Sequence, residues 1–152
     1  MYLSYEDYQN MGGTLDETTF NNFEYEAECI INWYTFNRLK GEAEIPEEVA
    51  RCTNALIGLL KLKADAMMLG SQTITTVDEE TTKTVITSAA IASQSNDGVS
   101  ISYNTVNASD IVKSLRPFEV GGEVSNAIKV YLYGVTNSLG KRLLYRGLYA
   151  DE

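Results

Sequence analysis

The sequence predicts a mainly α fold, a small helical bundle built on an αα-hairpin with an inserted β-hairpin or loop and a C-terminal arm. Two long stretches, 16–39 and 46–69, carry apolar residues at helical spacing. Only a short link separates them, which makes antiparallel neighbours. The chain has 152 residues, 44% of them hydrophobic, enough for one domain over 1–152 with its own core.

The elements follow in order. A short helix is expected over 4–12, with Ser4 as its N-cap, Asp7 three residues on, and Gly12-Gly13 at its end. Thr14 or Asp16 then caps the first long helix, 16–39. Its apolar stripe is Phe20, Phe23, Ala27, Ile30, Ile31 and Tyr34, widened by Cys29, Trp33 and Phe36. The sequence Ile45-Pro46-Glu47-Glu48 opens the second long helix, 46–69. Proline suits the first turn, and the two carboxylates complement the helix dipole. Val49, Cys52, Leu56, Leu59, Leu60 and Met67 form its core face, and Gly70 stops it.

The period changes over 71–107, which is rich in Thr, Ser, Val and Ile. A β-hairpin is expected over 84–104, pairing a strand at 84–91 with the alternating Val99, Ile101 and Tyr103 around Asn96-Asp97-Gly98. The segment 73–84 is expected to be an exposed polar flank. Two shorter helices follow over 109–115 and 122–134, the first ended by Pro117. The last has Val124, Ile128, Tyr131 and Leu132 on one face, with Asn126 and Lys129 on the other. The remainder, 135–152, reads as an arm. Leu143, Leu144, Tyr145, Leu148 and Tyr149 stand there together with Lys141, Arg142 and Arg146. So apolar a tail needs a surface to cover, either its own domain or another subunit.

The net charge is −9, and residues 1–50 hold eleven carboxylates against only Arg38 and Lys40. Binding by counterion release at phosphates is therefore disfavoured. No run is apolar enough to span a membrane, and the acidic, tyrosine-rich start does not resemble a signal peptide, so residence in the cytoplasm is expected. Histidine is absent and the two cysteines, Cys29 and Cys52, have no base to activate them. Both are expected to be buried free thiols. Glu24, Glu26 and Glu28 are spaced by two and splay around a helix, so they do not converge on a metal. No enzyme activity, cofactor or metal is expected.

Several stretches carry a resemblance. YLSYEDYQNMGGTLDETTFNNFEYEAECIINWYTFNRLK, the PEEVARC helix, GVSISYN and the ending LLYRGLY are similar, in this order, to head–tail connector proteins of long-tailed phages of Gram-positive bacteria. The stretch between YLYG and LLYRG is longer than in that family. The resemblance implies a structural virion protein that sits as a ring of twelve copies beneath the portal. Such an adaptor links the DNA-filled head to the stopper or tail, around a channel that DNA passes without specific binding. It implies the portal, the stopper or tail-completion protein, and other copies of itself as partners. It also implies a location at the head–tail interface after assembly in the host cytoplasm, with a monomer when free.

On this reading the arm residues Leu143, Leu144, Tyr145, Arg146, Leu148 and Tyr149 bind the portal or a neighbouring subunit, and Glu24 and Glu28 are candidates for the channel face. A non-viral cytoplasmic helical module that binds proteins is the alternative.

Overall fold

The protein is described by a computed structural model that covers residues 1–70, 73–78, 81–86, 93–96, 99–102 and 108–147. It is a mainly helical bundle. In chain order the helices are α1 (Tyr5–Asn10), α2 (Glu17–Tyr34), α3 (Glu47–Gly70), α4 (Ala108–Ser114) and α5 (Glu123–Leu132). The central helix is α3, which packs against α2, α4 and α5, while α1 lies on α2.

Local chemistry sets most helix starts. The Ser4 hydroxyl accepts the Asp7 N–H at 3.1 Å and donates to the Asp7 carboxylate at 2.6 Å. Asp16, rather than Thr14, caps α2 by accepting the Thr19 N–H at 3.0 Å. Pro46 precedes α3, and its carbonyl accepts the Val49 N–H at 2.9 Å. The turn after α1 depends on Tyr8. The buried ring leaves no room for a methyl at Gly13, and its hydroxyl accepts from the Thr14 and Leu15 N–H groups at 3.2 and 3.3 Å.

One apolar cluster joins the helices. Phe20 is fully buried between Tyr5 and Tyr8, at centroid distances of 5.4 and 4.8 Å. Ala27, Ile30 and Ile31 from α2 meet Val49, Cys52, Leu56, Ile57 and Leu60 from α3, and Val124, Ile128 and Leu132 from α5. Burial of apolar area is the main stabilising term here. The expected stripes are too wide at their edges. Cys29, Trp33 and Phe36 on the α2 side, Met67 on α3, and Tyr131 on α5 are exposed. Ile57 replaces Leu59 among the fully buried residues of α3.

Helix α2 ends five residues before the expected position. Thr35 caps it, Phe36 N–H bonds to the Trp33 carbonyl (3.4 Å), and Asn37 N–H bonds to the Asn32 carbonyl (2.8 Å). These two crossed bonds are those of a Schellman motif. Its left-handed position is normally glycine, but here Phe36 occupies it at φ 56°, followed by Asn37 at φ 59°. With no glycine before Gly41, nothing in the local sequence marked this stop.

A single β-hairpin over 84–104 is not what the chain forms. Strand β2 (Thr81–Ile86) pairs backward with β1 (Thr73–Asp78), with Thr75 opposite Thr84, so the expected polar flank is itself half of a ladder. A separate short ladder pairs β3 (Ser93–Asn96) with β4 (Val99–Ser102). Local pairing closes shorter loops than the expected one, at lower entropic cost. Residues 87–92, 97–98 (part of the expected Asn96-Asp97-Gly98 turn) and 103–107 of the expected hairpin region lie outside the described residues. Among those described, no helix is long and apolar enough to cross a membrane.

Candidate functional site

The site is built where the end of α2 meets the C-terminal arm. After α5, the arm turns back on itself. The Leu143 N–H bonds to the Val135 carbonyl and the Asn137 N–H to the Lys141 carbonyl, both at 2.9 Å, and Thr136 bridges to Arg142. The Asn137 side chain holds the turn: its oxygen accepts from the Leu139 and Lys141 N–H groups at 3.2 and 2.9 Å. Gly140, at φ +73°, makes the reversal possible.

Arg38 fastens this loop to the bundle. Its side chain is buried, and the guanidinium donates through Nη1 to the carbonyls of Arg142 (3.1 Å), Leu143 (3.5 Å) and Tyr145, and through Nη2 to Gly147 (3.0 Å). In return the Asn137 amide donates to the Arg38 carbonyl at 3.3 Å. A planar fork of donors suits this task, because one rigid group satisfies several carbonyls that no sheet or helix pairs. The docking places Leu143 in the core at 0% exposure, with Leu144 packed at the core's edge.

Of the two surfaces left open for the arm, Leu143 takes the chain's own domain, which corrects its assignment to a partner. Leu143 serves the chain's own core and is not available as a contact for another protein. Tyr145 and Arg146 do face outward. Leu148 and Tyr149 lie outside the described residues. A chain ending at Asn137 would lose a core side chain and the partners of Arg38, so the arm is part of the fold as far as Gly147.

The acidic candidates are likewise relocated. Glu24 is only 4% exposed, and its carboxylate accepts the Tyr2 N–H at 2.7 Å. Glu28 lies 2.6 Å from the Met1 amino group. The Tyr2 hydroxyl donates to Asn32 Oδ1 at 2.5 Å. Burial, with Glu28 and then Glu24 nearby adding to it against the lowering bond to Asn32, pushes the Tyr2 phenol up to about 12. These carboxylates organise the N-terminal segment against α2, so Glu24 does not face a channel in this fold. Of the thiols, Cys29 is exposed and Cys52 is buried, with its pKa pushed up to about 12 by that burial.

Beside the arm lies a cleft of about 540 Å³ lined by Trp33, Tyr34, Phe36, Asn37 and Arg146. Trp33 is 58% and Phe36 50% exposed. Trp33 packs on Phe118 at 4.7 Å, while the Tyr34 hydroxyl donates to the Pro117 carbonyl at 2.8 Å, so the loop after α4 braces the wall. The Arg38 guanidinium sits 5.1 Å from the centroid of Phe36. Helical spacing places Trp33 and Phe36 at the edge of the α2 core stripe, and no sequence pattern gives Arg38 a role. The only available signal was an arginine standing among aromatic residues in an acidic half.

No protein-family model matches this chain, and no curated protein or solved structure does. Among the described residues, no three His, Cys, Asp or Glu side chains are grouped to hold a metal.

Proposed function

We propose that this chain is a structural virion protein, a head–tail connector that binds the portal as a ring and links the filled head to the stopper or tail around the DNA exit channel. One observation carries the reading beyond the motifs themselves. TFNRLKG and LLYRG, two pieces on which the resemblance rests, lie more than a hundred residues apart, and they meet at Arg38. The third piece, YEDYQNMGG, is a local unit closed by Tyr8 over Gly13. These three stretches of the resemblance thus correspond to joints of this fold.

Docking the arm leaves Tyr145 exposed and Arg146 outward in one cleft with exposed Trp33 and Phe36. Aromatic residues and arginine most often dominate interfaces, and this surface is the proposed contact with the portal or the next subunit. A heterologous contact between copies gives a ring where its rotation closes, which the proposal requires.

The test is to mix the purified chain with portal rings from the same genome and image the product by electron microscopy. Portals decorated by an added ring are expected. Bare portals at saturating concentrations of the chain would rule the connector reading out and favour a helical interaction module.

A further inference from the structure

The cleft beside the arm bears on the kind of ligand it takes, whatever protein supplies that ligand. Its walls combine three features that solubility does not explain. Trp33 and Phe36 expose half or more of their surface next to each other. Phe36 holds its place through a left-handed backbone that costs a non-glycine residue energy, and such strain concentrates at ligand sites. Arg146 lines the same cleft, is exposed, and makes no ion pair or hydrogen bond among the described residues.

The charge of the cleft is opposite to that of the chain. The whole excess of nine negative charges falls within residues 1–50, yet none of the five lining residues is a carboxylate. Glu119, close to Phe118 in sequence, lines a separate dent with Arg116, Pro117 and Phe118. The charges placed at the cleft are guanidiniums: Arg146 lines it, and Arg38 sits 5.1 Å from the Phe36 ring.

We infer that this cleft binds an extended acidic peptide segment bearing an aromatic or aliphatic anchor. The anchor lies between Trp33 and Phe36, a carboxylate pairs with Arg146, and the Asn37 amide is placed to meet the peptide backbone. The cleft volume is in the range that small, partly apolar ligands fill, and arginine binds carboxylate in a forked, charge-assisted geometry. Aromatic walls also stack nucleic-acid bases, but a strand carries one phosphate per nucleotide past the cleft and across an acidic surface. A peptide needs only one carboxylate at Arg146. The inference does not depend on the virion reading.

The test selects peptides from a random display library on the immobilised full chain. Selected tryptophan-free peptides are then titrated into the chain while the emission of Trp33, its only tryptophan, is followed. The expected sequences pair Asp or Glu with an aromatic or aliphatic residue, and they shift Trp33 emission to the blue with saturation. Arg146→Glu, at an exposed position, weakens binding about tenfold or more, as loss of a charge-assisted bond does. Phe36→Gly relieves the backbone while removing one wall, and it also weakens binding although thermal unfolding remains cooperative. The inference fails if selection yields no acidic peptides or if Arg146→Glu binds them with unchanged affinity. It also fails if a poly-dT oligonucleotide, and not the peptides, shifts Trp33.

Discussion

Replacing Arg38 by methionine tests how the arm is held. Met retains much of the apolar stem and deletes the donors that reach the carbonyls of Arg142, Leu143, Tyr145 and Gly147. A hydrogen bond to a charged group contributes about 1.5–3 kcal/mol. Four such bonds do not add, because they share one guanidinium. The contact to the Leu143 carbonyl, at 3.5 Å, is long and shares a proton. Carbonyls near the surface recover water once the guanidinium is gone, and Met avoids the cost of burying a charge. These offsets leave a net loss of about 2–3 kcal/mol. For a chain of this length that lowers Tm by roughly 5–10 °C.

Urea unfolding gives the free energy, and limited trypsin digestion gives the location. Lys141, Arg142 and Arg146 are cleavage sites on the held loop, so Arg38→Met is cut there faster than the native chain, well below the concentration of urea that unfolds the bundle. Arg38→Lys falls between the two, since a single ammonium cannot span the carbonyls of Arg142 and Gly147. Stability of Arg38→Met within about 0.5 kcal/mol of the native chain, with unchanged cleavage of the arm, would refute the clamp.

Further expectations concern the core, the N-terminal segment and the thiols. Leu143→Ala and Leu56→Ala, both at fully buried positions, each lower stability by about 2–4 kcal/mol in urea unfolding, and a native-like Leu143→Ala would place the arm off the core. Tyr2 keeps its proton in the folded chain to about 12, against 10.0 ordinarily. The folded state then binds more protons than the unfolded one above pH 10. Its contribution is fully present below that pH and is lost as pH rises from 10 to 12. Stability measured across this window should therefore fall more steeply for the native chain than for Tyr2→Phe. A thiol reagent at neutral pH should label Cys29 quickly and leave Cys52 unreacted until the chain is unfolded, because burial of Cys52 opposes the thiolate. Equal rates would mean that α3 does not seal Cys52.

Helix positions were legible wherever a local signal set them. Ser4, Asp16 and Pro46 act within three or four residues of themselves, and periodic apolar residues mark the buried faces of α2, α3 and α5. The same locality explains the misreadings. Periodicity gives the direction of a face but not its width, so Trp33, Phe36 and Met67 were assigned to a core that ends before them. The Schellman stop at Phe36 carries no glycine, and propensity alone runs α2 onward. The strand pattern around 84–86 gave the right conformation, but period-two alternation does not name a partner, and the nearer segment 73–78 took it.

The sequence alone determined a helical bundle with an αα-hairpin, a polar insertion and an arm too apolar to trail in water, because these depend on spacing and on short-range bonds. Only the tertiary structure decided where the arm went. Arg38 and the carbonyls it binds are separated by 104 to 109 residues. A backbone carbonyl carries no mark of residue type, so nothing in the letters of 142–147 announces that an arginine is needed there. The same holds for Glu24, whose partner is the Tyr2 N–H, and for the cleft, whose walls come from α2, the arm and the loop that braces them. Contacts to backbone groups across long sequence separation appear only when the chain has folded.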